Sequence, residues 1–342
     1  MITKSELDEI REYLRKAENP LFFFDDDQDG LCSYLLLKKY IDKGKGVVVK
    51  AEPILSEKLL HKVKEISPDY IFVLDIPEIT QEFVDSVNVP IIWLDHHEIY
   101  DIKGVHYYNS RVHNPKDNRP TSYWAYKITN QNMWISAIGV ISDWYIPEFV
   151  KEFEASYPNI LPKNAKDPAE IMYESKFGKL TRLFSLLLKG KTSDVNKSIS
   201  ILSKIESPIE LLNQETSKAK YLFKRVKKLE EEYQKVLEYC LKQKSKDKVL
   251  VITYPITKTS FTSEISNELM YKNKNKVIIV ARESNDRIKL SIRSQKIKVT
   301  EALRKAIEGL DGYGGGHDLA CGGNISKEDF PEFLEKFKSL LN

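Results

Sequence analysis

Ile91-Ile92-Trp93-Leu94-Asp95-His96-His97-Glu98 is a run of apolar residues that ends abruptly in an acid and two imidazoles. It reads as a buried strand that delivers metal ligands at its tip. Two further stretches share the pattern: Leu21-Phe22-Phe23-Phe24 runs into Asp25-Asp26-Asp27-Gln28-Asp29-Gly30, and Ile71-Phe72-Val73-Leu74 runs into Asp75. Parallel neighbouring strands lie about 4.8 Å apart, so Asp27, Asp29, Asp75, Asp95 and His96 can converge on a volume the size of a dinuclear metal site. Carboxylates crowded in that way need cations.

Working outward, apolar and amphipathic segments alternate. Strand 21–25 is followed by a helix over 31–43 and a strand over 46–50. A helix capped by Ser56 then runs through Lys64, before strand 70–74, a short helix after Thr80 and strand 90–94. This alternation predicts an α/β fold with a parallel sheet and helices on its faces. Ligands of such sheets bind beyond the carboxyl ends of the strands, which is where all three acid clusters fall. Residues 100–120, with His106, Asn109, Arg111 and His113, lack periodicity and predict a loop near the site. From 121 to 143 the pattern is helical and sets Asp143 within an apolar segment; a buried acid needs a partner, and a metal ion is the reading preferred over a helix cap.

Residues 145–245 read as mostly helical and hold no concentration of catalytic residue types. Leu222, Val226, Leu229, Tyr233, Val236 and Cys240 recur at alternating spacings of four and three, which predicts one long amphipathic helix. A second α/β pattern begins at Lys248, with strands over 248–254, 276–281 and 287–293 and helices over about 263–272 and 299–309. Three parts are therefore expected: a parallel-sheet domain over 1–150, a helical connector over 151–245, and a smaller α/β domain over 246–342, with an active-site cleft between the first and the last. In Arg287-Ile288-Lys289-Leu290-Ser291-Ile292-Arg293-Ser294 strict alternation puts the aliphatic residues on the core face and Arg287, Lys289, Ser291 and Arg293 on the other. Arginine and serine on a rigid strand are common phosphate contacts. Asp311-Gly312-Tyr313-Gly314-Gly315-Gly316-His317 holds three consecutive glycines, which let a backbone approach a ligand closely and turn its amides toward an anion.

Charge is distributed unevenly along the 342 residues. Residues 1–150 carry 17 Lys and Arg against 24 Asp and Glu, a net −7, whereas the remainder carries 36 against 26, a net +10. An acidic half that holds cations and a basic half that holds an anion suit an enzyme of phosphate esters. Cys32, Cys240 and Cys321 are odd in number and far apart, so they are expected in the core rather than in disulfides or a zinc site. No apolar run approaches the roughly 18 residues that a membrane span needs. The N-terminus, with Thr3 and Glu6 at capping-box spacing, reads as a helix start rather than a signal peptide. A cytoplasmic protein is expected.

These residues, in this order, resemble the DHH phosphoesterase family, in which an N-terminal domain carries four acidic motifs and a smaller, DHH-associated C-terminal domain carries a Gly-Gly-Gly-His loop. The first motif is Asp25 to Gly30, the second Asp75, the third Asp95-His96-His97, the fourth Asp143, and the loop Gly314 to His317. The resemblance implies two Mn²⁺ ions per chain, with Mg²⁺ as a possible substitute. Asp27 and Asp75 would hold one ion and Asp29, Asp75, His96 and Asp143 the other, with Asp95 and His97 as the catalytic pair and His97 facing the phosphate. Other branches of the family carry a histidine where this chain has Phe23; the RecJ-like branch instead has Asp or His two residues before the Asp-x-Asp pair, and Asp25 matches it and would complete the first ion's ligands. Gln28 stands where the RecJ-like motif commonly has Ala. Arg293, Ser294, Gly314, Gly315, Gly316 and His317 would bind substrate. The implied activity is that of a RecJ-like exonuclease on single-stranded RNA, DNA or short oligonucleotides; the chain is short beside bacterial RecJ and no appended nucleic-acid-binding barrel is evident, which argues against processing of long duplexes. The alternatives are a nanoRNase or small-nucleotide phosphoesterase, acting on cyclic dinucleotides or nucleoside bisphosphates, and a non-catalytic replication scaffold.

Overall fold

In the computed structural model, residues 1–50, 54–255 and 257–341 are described. Helix α1 (Lys4–Lys16) opens the chain with the expected capping box: the Thr3 amide donates to Glu6 Oε2 at 2.7 Å, and the Glu6 amide donates to Thr3 Oγ1 at 3.3 Å. It is followed by β1 (Leu21–Asp25), α2 (Gln28–Ile41), β2 (Lys45–Val49), β3 (Ile54–Leu55), α3 (Leu60–Ile66), β4 (Ile71–Leu74), β5 (Glu78–Ile79), α4 (Gln81–Asp85), β6 (Ile91–Asp95) and β7 (His106–Asn109). The five longer strands form one parallel sheet in the order β2-β1-β4-β6-β7, and β3 pairs with β5 alone. Both faces of the sheet are covered at its centre, which is why β1, β4 and β6 read as unbroken apolar runs. Phe23, Val73 and Trp93 pack on one face with Phe83 of α4. On the other, Phe24 stacks on Tyr34 of α2 and Phe22 on Phe72.

Three expectations need correction here. Residues 106–109, expected in a loop, are the fifth strand; the segment is only four residues long and begins with two polar-tipped side chains, so it shows no apolar period. The second helix begins at Gln28 rather than at 31, because Asp27 is its N-cap and accepts from the Gly30 amide at 2.9 Å. Ser56 makes no side-chain cap; a 3-10 turn over Glu57–Leu59 leads into α3 instead.

The helical segment at 121–143 is two helices, α5 (Thr121–Thr129) and α6 (Met133–Ser142), divided where Asn130 and Asn132 adopt left-handed conformations. Helices α7 (Val150–Ser156), α8 (Pro168–Glu174), α9 (Phe177–Leu187), α10 (Thr192–Leu202) and α11 (Pro208–Leu212) lead to α12 (Ser217–Lys242). Along α12 Leu222, Val226, Tyr233 and Cys240 are buried as the spacing predicts, whereas Leu229 and Val236 are half-buried and Leu237 is buried in place of Val236. The chain divides into two compact units, Met1–Val226 and Lys227–Asn342.

In the second unit come β8 (Val249–Tyr254), α13 (Thr262–Lys272), β9 (Val277–Ser284), β10 (Arg287–Arg293), α14 (Thr300–Ile307), β11 (Gly312–His317), β12 (Ala320–Ser326) and α15 (Phe330–Ser339). The sheet order is β11-β12-β10-β9-β8, parallel only between β8 and β9. Ile288, Leu290 and Ile292 enter a core shared with Leu303, Phe333 and Phe337. The glycine run, expected as a loop, is strand β11, and the turn falls just after it at Asp318 and Leu319. All three cysteines are buried and free. No helix among the described residues is long and apolar enough to cross a membrane.

Candidate metal centre

Strand register sets the site. Phe24 pairs with Leu74 and Leu74 with Leu94, so Asp25, Asp75 and Asp95 follow one another in the next row across three adjacent strands. After β1 the chain adds β2 on one side and β4 on the other, so the strand order reverses between β1 and β4 at this row. Parallel α/β sheets bind ligands at such a reversal. Asp75 takes a left-handed conformation, φ 61°, while its amide donates to the Leu94 carbonyl at 3.0 Å. Aspartate tolerates that region better than most residues, and the reversal turns its carboxylate off the strand.

Asp29 lies in the first turn of α2 and is 1% exposed. Its oxygens accept from the backbone amides of Thr121 at 2.7 Å and Ser122 at 2.9 Å, and from the Ser122 hydroxyl. The amino end of α5, where amides are unpaired and the helix dipole is positive, thus holds this carboxylate. The Thr121 hydroxyl donates to Asp75 Oδ1 at 3.0 Å. Asp143 caps the carboxyl end of α6 and lies 3.5 Å from His96 Nε2, which is also 3.4 Å from Asp75.

Three groups of donor atoms each fall within 4.8 Å: Asp25, Asp27 and Asp75; Asp29, His96 and Asp143; and Asp75, His96 and His97. Asp75 and His96 are each shared by two groups. Asp95 belongs to none. It is fully buried, accepts from His97 Nδ1 at 2.8 Å and from the His97 amide at 3.0 Å, and also takes the Asn109 side-chain amide at 3.2 Å. The acid of the third motif therefore orients the imidazole beside it.

Burial, and after it the neighbouring Asp27 charge, pushes the Asp25 carboxyl up to about 8. Asp27, Asp75 and Asp143 are likewise raised, first by burial and then by the charge of Asp29. Burial alone would lower His97, but the hydrogen bond and charge of Asp95 overcome it and raise the imidazole to about 9. Carboxylates that repel one another this strongly are the ordinary surroundings of bound divalent cations. Carboxylate oxygens with imidazole nitrogens suit Mn²⁺ and also admit Mg²⁺. The donor set fits the expected ions.

In the second unit the candidate residues are arranged differently. The Arg293 guanidinium donates to Asn267 Oδ1 at 2.6 Å, Ser263 Oγ at 2.8 Å, and the carbonyls of Ile292 and Cys321 at 2.9 and 3.0 Å. Helix α13 packs on β9 and β10 and supplies the first two of these acceptors; the strand face expected to be open is covered there. Ser294 is buried, and its hydroxyl accepts from the Lys296 and Ile297 amides at 3.3 and 3.0 Å. Gly314, Gly315, Gly316 and His317 lie along β11 opposite Ala320 to Gly323 of β12.

Residues 246–342 match the model of the DHHA1 domain. RecJ from Thermus thermophilus in complex with Mn²⁺ superposes with a TM-score of 0.62 at 16% identity, over 98% of this chain and 54% of that one. This chain thus spans about half the length of the Thermus protein. Residues 246–342 are thus similar to a DHHA1 domain, and the chain has a RecJ-like fold. An exonuclease RecJ bound to manganese gives a TM-score of 0.60 at 15% identity over 100% of this chain and 95% of that one. A pGpG-specific phosphodiesterase from Vibrio cholerae gives 0.50 at 15% identity over 95% and 99%. No curated protein sequence matches. The glycine strand and Arg293 therefore lie within the residues that match the DHHA1 model, and the acid row belongs to the parallel sheet.

Sequence reasoning missed Thr121 and Ser122 as partners of the site. The signal was present: Pro120 followed by Thr121 and Ser122 marks a helix start, and an exposed amino end attracts an anion. Asn109 was grouped with the loop residues near the site, but its place beside Asp95 depends on β7 pairing with β6.

Proposed function

We propose that this chain is a metal-dependent phosphodiesterase, a RecJ-like exonuclease acting on single-stranded RNA or DNA or on short oligonucleotides. The observation that carries the reading is the convergence of Asp25, Asp27, Asp29, Asp75, His96 and Asp143 at the reversal point of the parallel sheet. Asp25, Asp27 and Asp75 would hold one divalent ion and Asp29, His96 and Asp143, with Asp75 between, a second. Such ions, when bound, polarise a phosphoryl oxygen and make water acidic enough to attack phosphorus at neutral pH. The chain's own residues do the rest. Asp95 fixes the direction of His97, and the imidazole faces a phosphate oxygen of the substrate. Thr121 and Ser122 hold Asp75 and Asp29 in place. In the DHHA1 domain the β11 amides and His317 bind the substrate's phosphates, with Arg293 and Ser294 shaping that surface.

Two RecJ structures similar to this chain contain manganese, which supports Mn²⁺ as the working ion. A second reading, a small-nucleotide phosphodiesterase, is supported by the pGpG-specific relative, 99% of whose length this chain matches. The replication-scaffold reading is opposed by the complete acid set. A time course on end-labelled RNA and DNA of graded length, with Mn²⁺, separates these. Hydrolysis of single strands down to short oligomers is expected, and Asp75→Ala should abolish it and lower the tightly held metal. Turnover confined to dinucleotides would favour the second reading; absence of both hydrolysis and bound metal would favour the scaffold.

A further inference from the structure

Helix α6 ends in an unusual way. Its last turn closes with the Trp144 amide donating to the Ile141 carbonyl at 3.1 Å and the Tyr145 amide donating back to the Val140 carbonyl at 3.1 Å. This paired closure requires a left-handed residue just past the cap, a position that glycine usually takes. Here it is Trp144, at φ 62°. A bulky side chain in that region is a genuine outlier, and tryptophan gains nothing there as a helix stop that glycine would not supply at lower cost. The residue is 36% exposed, and among the described residues the indole makes no ring stack, cation–π contact or hydrogen bond. The residue before it is Asp143, whose carboxylate meets His96 in the candidate metal centre.

Strain of this kind persists where the surroundings hold a residue for use, and it gathers at ligand sites. We infer that the Trp144 indole is a stacking platform for the nucleobase next to the scissile phosphate. The inference rests on the phosphodiesterase reading and deepens it, by assigning a base contact to the metal-binding unit itself. An aromatic face stacks on any base and so provides affinity without sequence preference. A phosphate bound at an ion that Asp143 and His96 would hold carries its nucleoside a short distance away, and consecutive Cα atoms are only about 3.8 Å apart. The Trp144 backbone therefore lies beside the candidate site, with the indole partly exposed.

The test is equilibrium binding of a fluorescein-labelled phosphorothioate trinucleotide, with Mn²⁺, compared with the same oligomer abasic at the cleaved end. Wild type, Trp144→Gly and Trp144→Phe are measured on both. Trp144→Gly relieves the left-handed backbone but removes a largely covered side chain, so folding of each variant is checked by thermal unfolding before binding is compared. Trp144→Gly should bind the base-bearing oligomer about five- to a hundredfold more weakly, the range of one base–aromatic stack, while Trp144→Phe recovers most of the loss and all three proteins bind the abasic oligomer alike. Equal binding of the base-bearing oligomer by wild type and Trp144→Gly overturns the inference. So does an equal loss on both oligomers, or a change in oligomeric state of Trp144→Gly on gel filtration, which would assign the indole to contact with a second copy of the chain. Failure of wild type to bind either oligomer, or to hydrolyse the unmodified trinucleotide, would overturn the phosphodiesterase reading itself.

Discussion

At the scale of the residue, the site depends on groups that are not candidate ligands. Thr121 contributes one hydroxyl, at 3.0 Å from the carboxylate shared between two donor groups. Partners of this kind, which aim a ligand rather than hold the ion, typically govern metal affinity by about 10- to 100-fold. Thr121→Val keeps the side chain's shape and removes the donor, so Mn²⁺ affinity by titration should fall within that range while thermal stability changes little. Unaltered affinity would show that Asp75 needs no such support. Asp95 acts in the same manner, through His97. The cost of burying its carboxylate is offset by the two hydrogen bonds it accepts from His97 and by a third from the side chain of Asn109, the residue opposite it on β7.

At the scale of the element, the start of α2 must lie against the end of β1 for Asp27 and Asp29 to reach Asp25. Gly30 permits it: a Cβ there would sit 2.7 Å from the Asp25 nitrogen and oxygen. Gly30→Ala should destabilise the protein by about 1–3 kcal/mol, the usual cost of overpacking, and should weaken metal binding as well, measured by denaturant unfolding and metal titration. A second element, the turn before α5, is held by Asp117, which is 6% exposed and binds the Arg119 guanidinium. Arg119 in turn lies over the Trp124 ring at 4.3 Å. Burial would raise the Asp117 carboxyl, but the hydrogen bonds and charge of Arg119 prevail and lower it. A carboxyl lowered by folding stabilises the protein above its unfolded value, about 3.9, and that stability is lost as pH falls through the lower folded value. Asp117→Asn should therefore cost about 1–3 kcal/mol at pH 7, and the gap between variant and wild type should narrow below about pH 4. A gap independent of pH would mean that the effect is one of shape, not charge.

At the scale of the whole molecule, the two units divide the proposed work, and two neighbouring glycines separate fold from function in the second. A Cβ on Gly315 meets nothing within 4 Å, whereas one on Gly316, at φ 137°, would approach the Ala320 carbonyl at 2.5 Å. Gly316→Ala should lower the unfolding temperature, through a backbone cost of about 1–3 kcal/mol. Gly315→Ala should leave it unchanged yet raise KM about tenfold if the β11 backbone lies against a phosphate. Neither should alter metal content. A normal KM for Gly315→Ala would remove the strand from the substrate site.

The α/β class, the three acid-tipped strands and the division between an acidic and a basic half were legible in the sequence, because a strand buried on both faces has to be an apolar run and the polar residues ending it have few other uses. Tertiary structure alone decided the partners of those acids. Thr121 and Ser122 are 92 and 93 residues from Asp29, and local periodicity carries no information about which helix end will meet which carboxylate. It also decided the fate of Arg293 and the glycine run. Alternation showed which side chains share a face of β10 but not that α13 would cover its Arg293 end, and three glycines read as a loop until β12 offered a strand to pair with. Hydrogen bonding between distant segments, not local propensity, sets those outcomes.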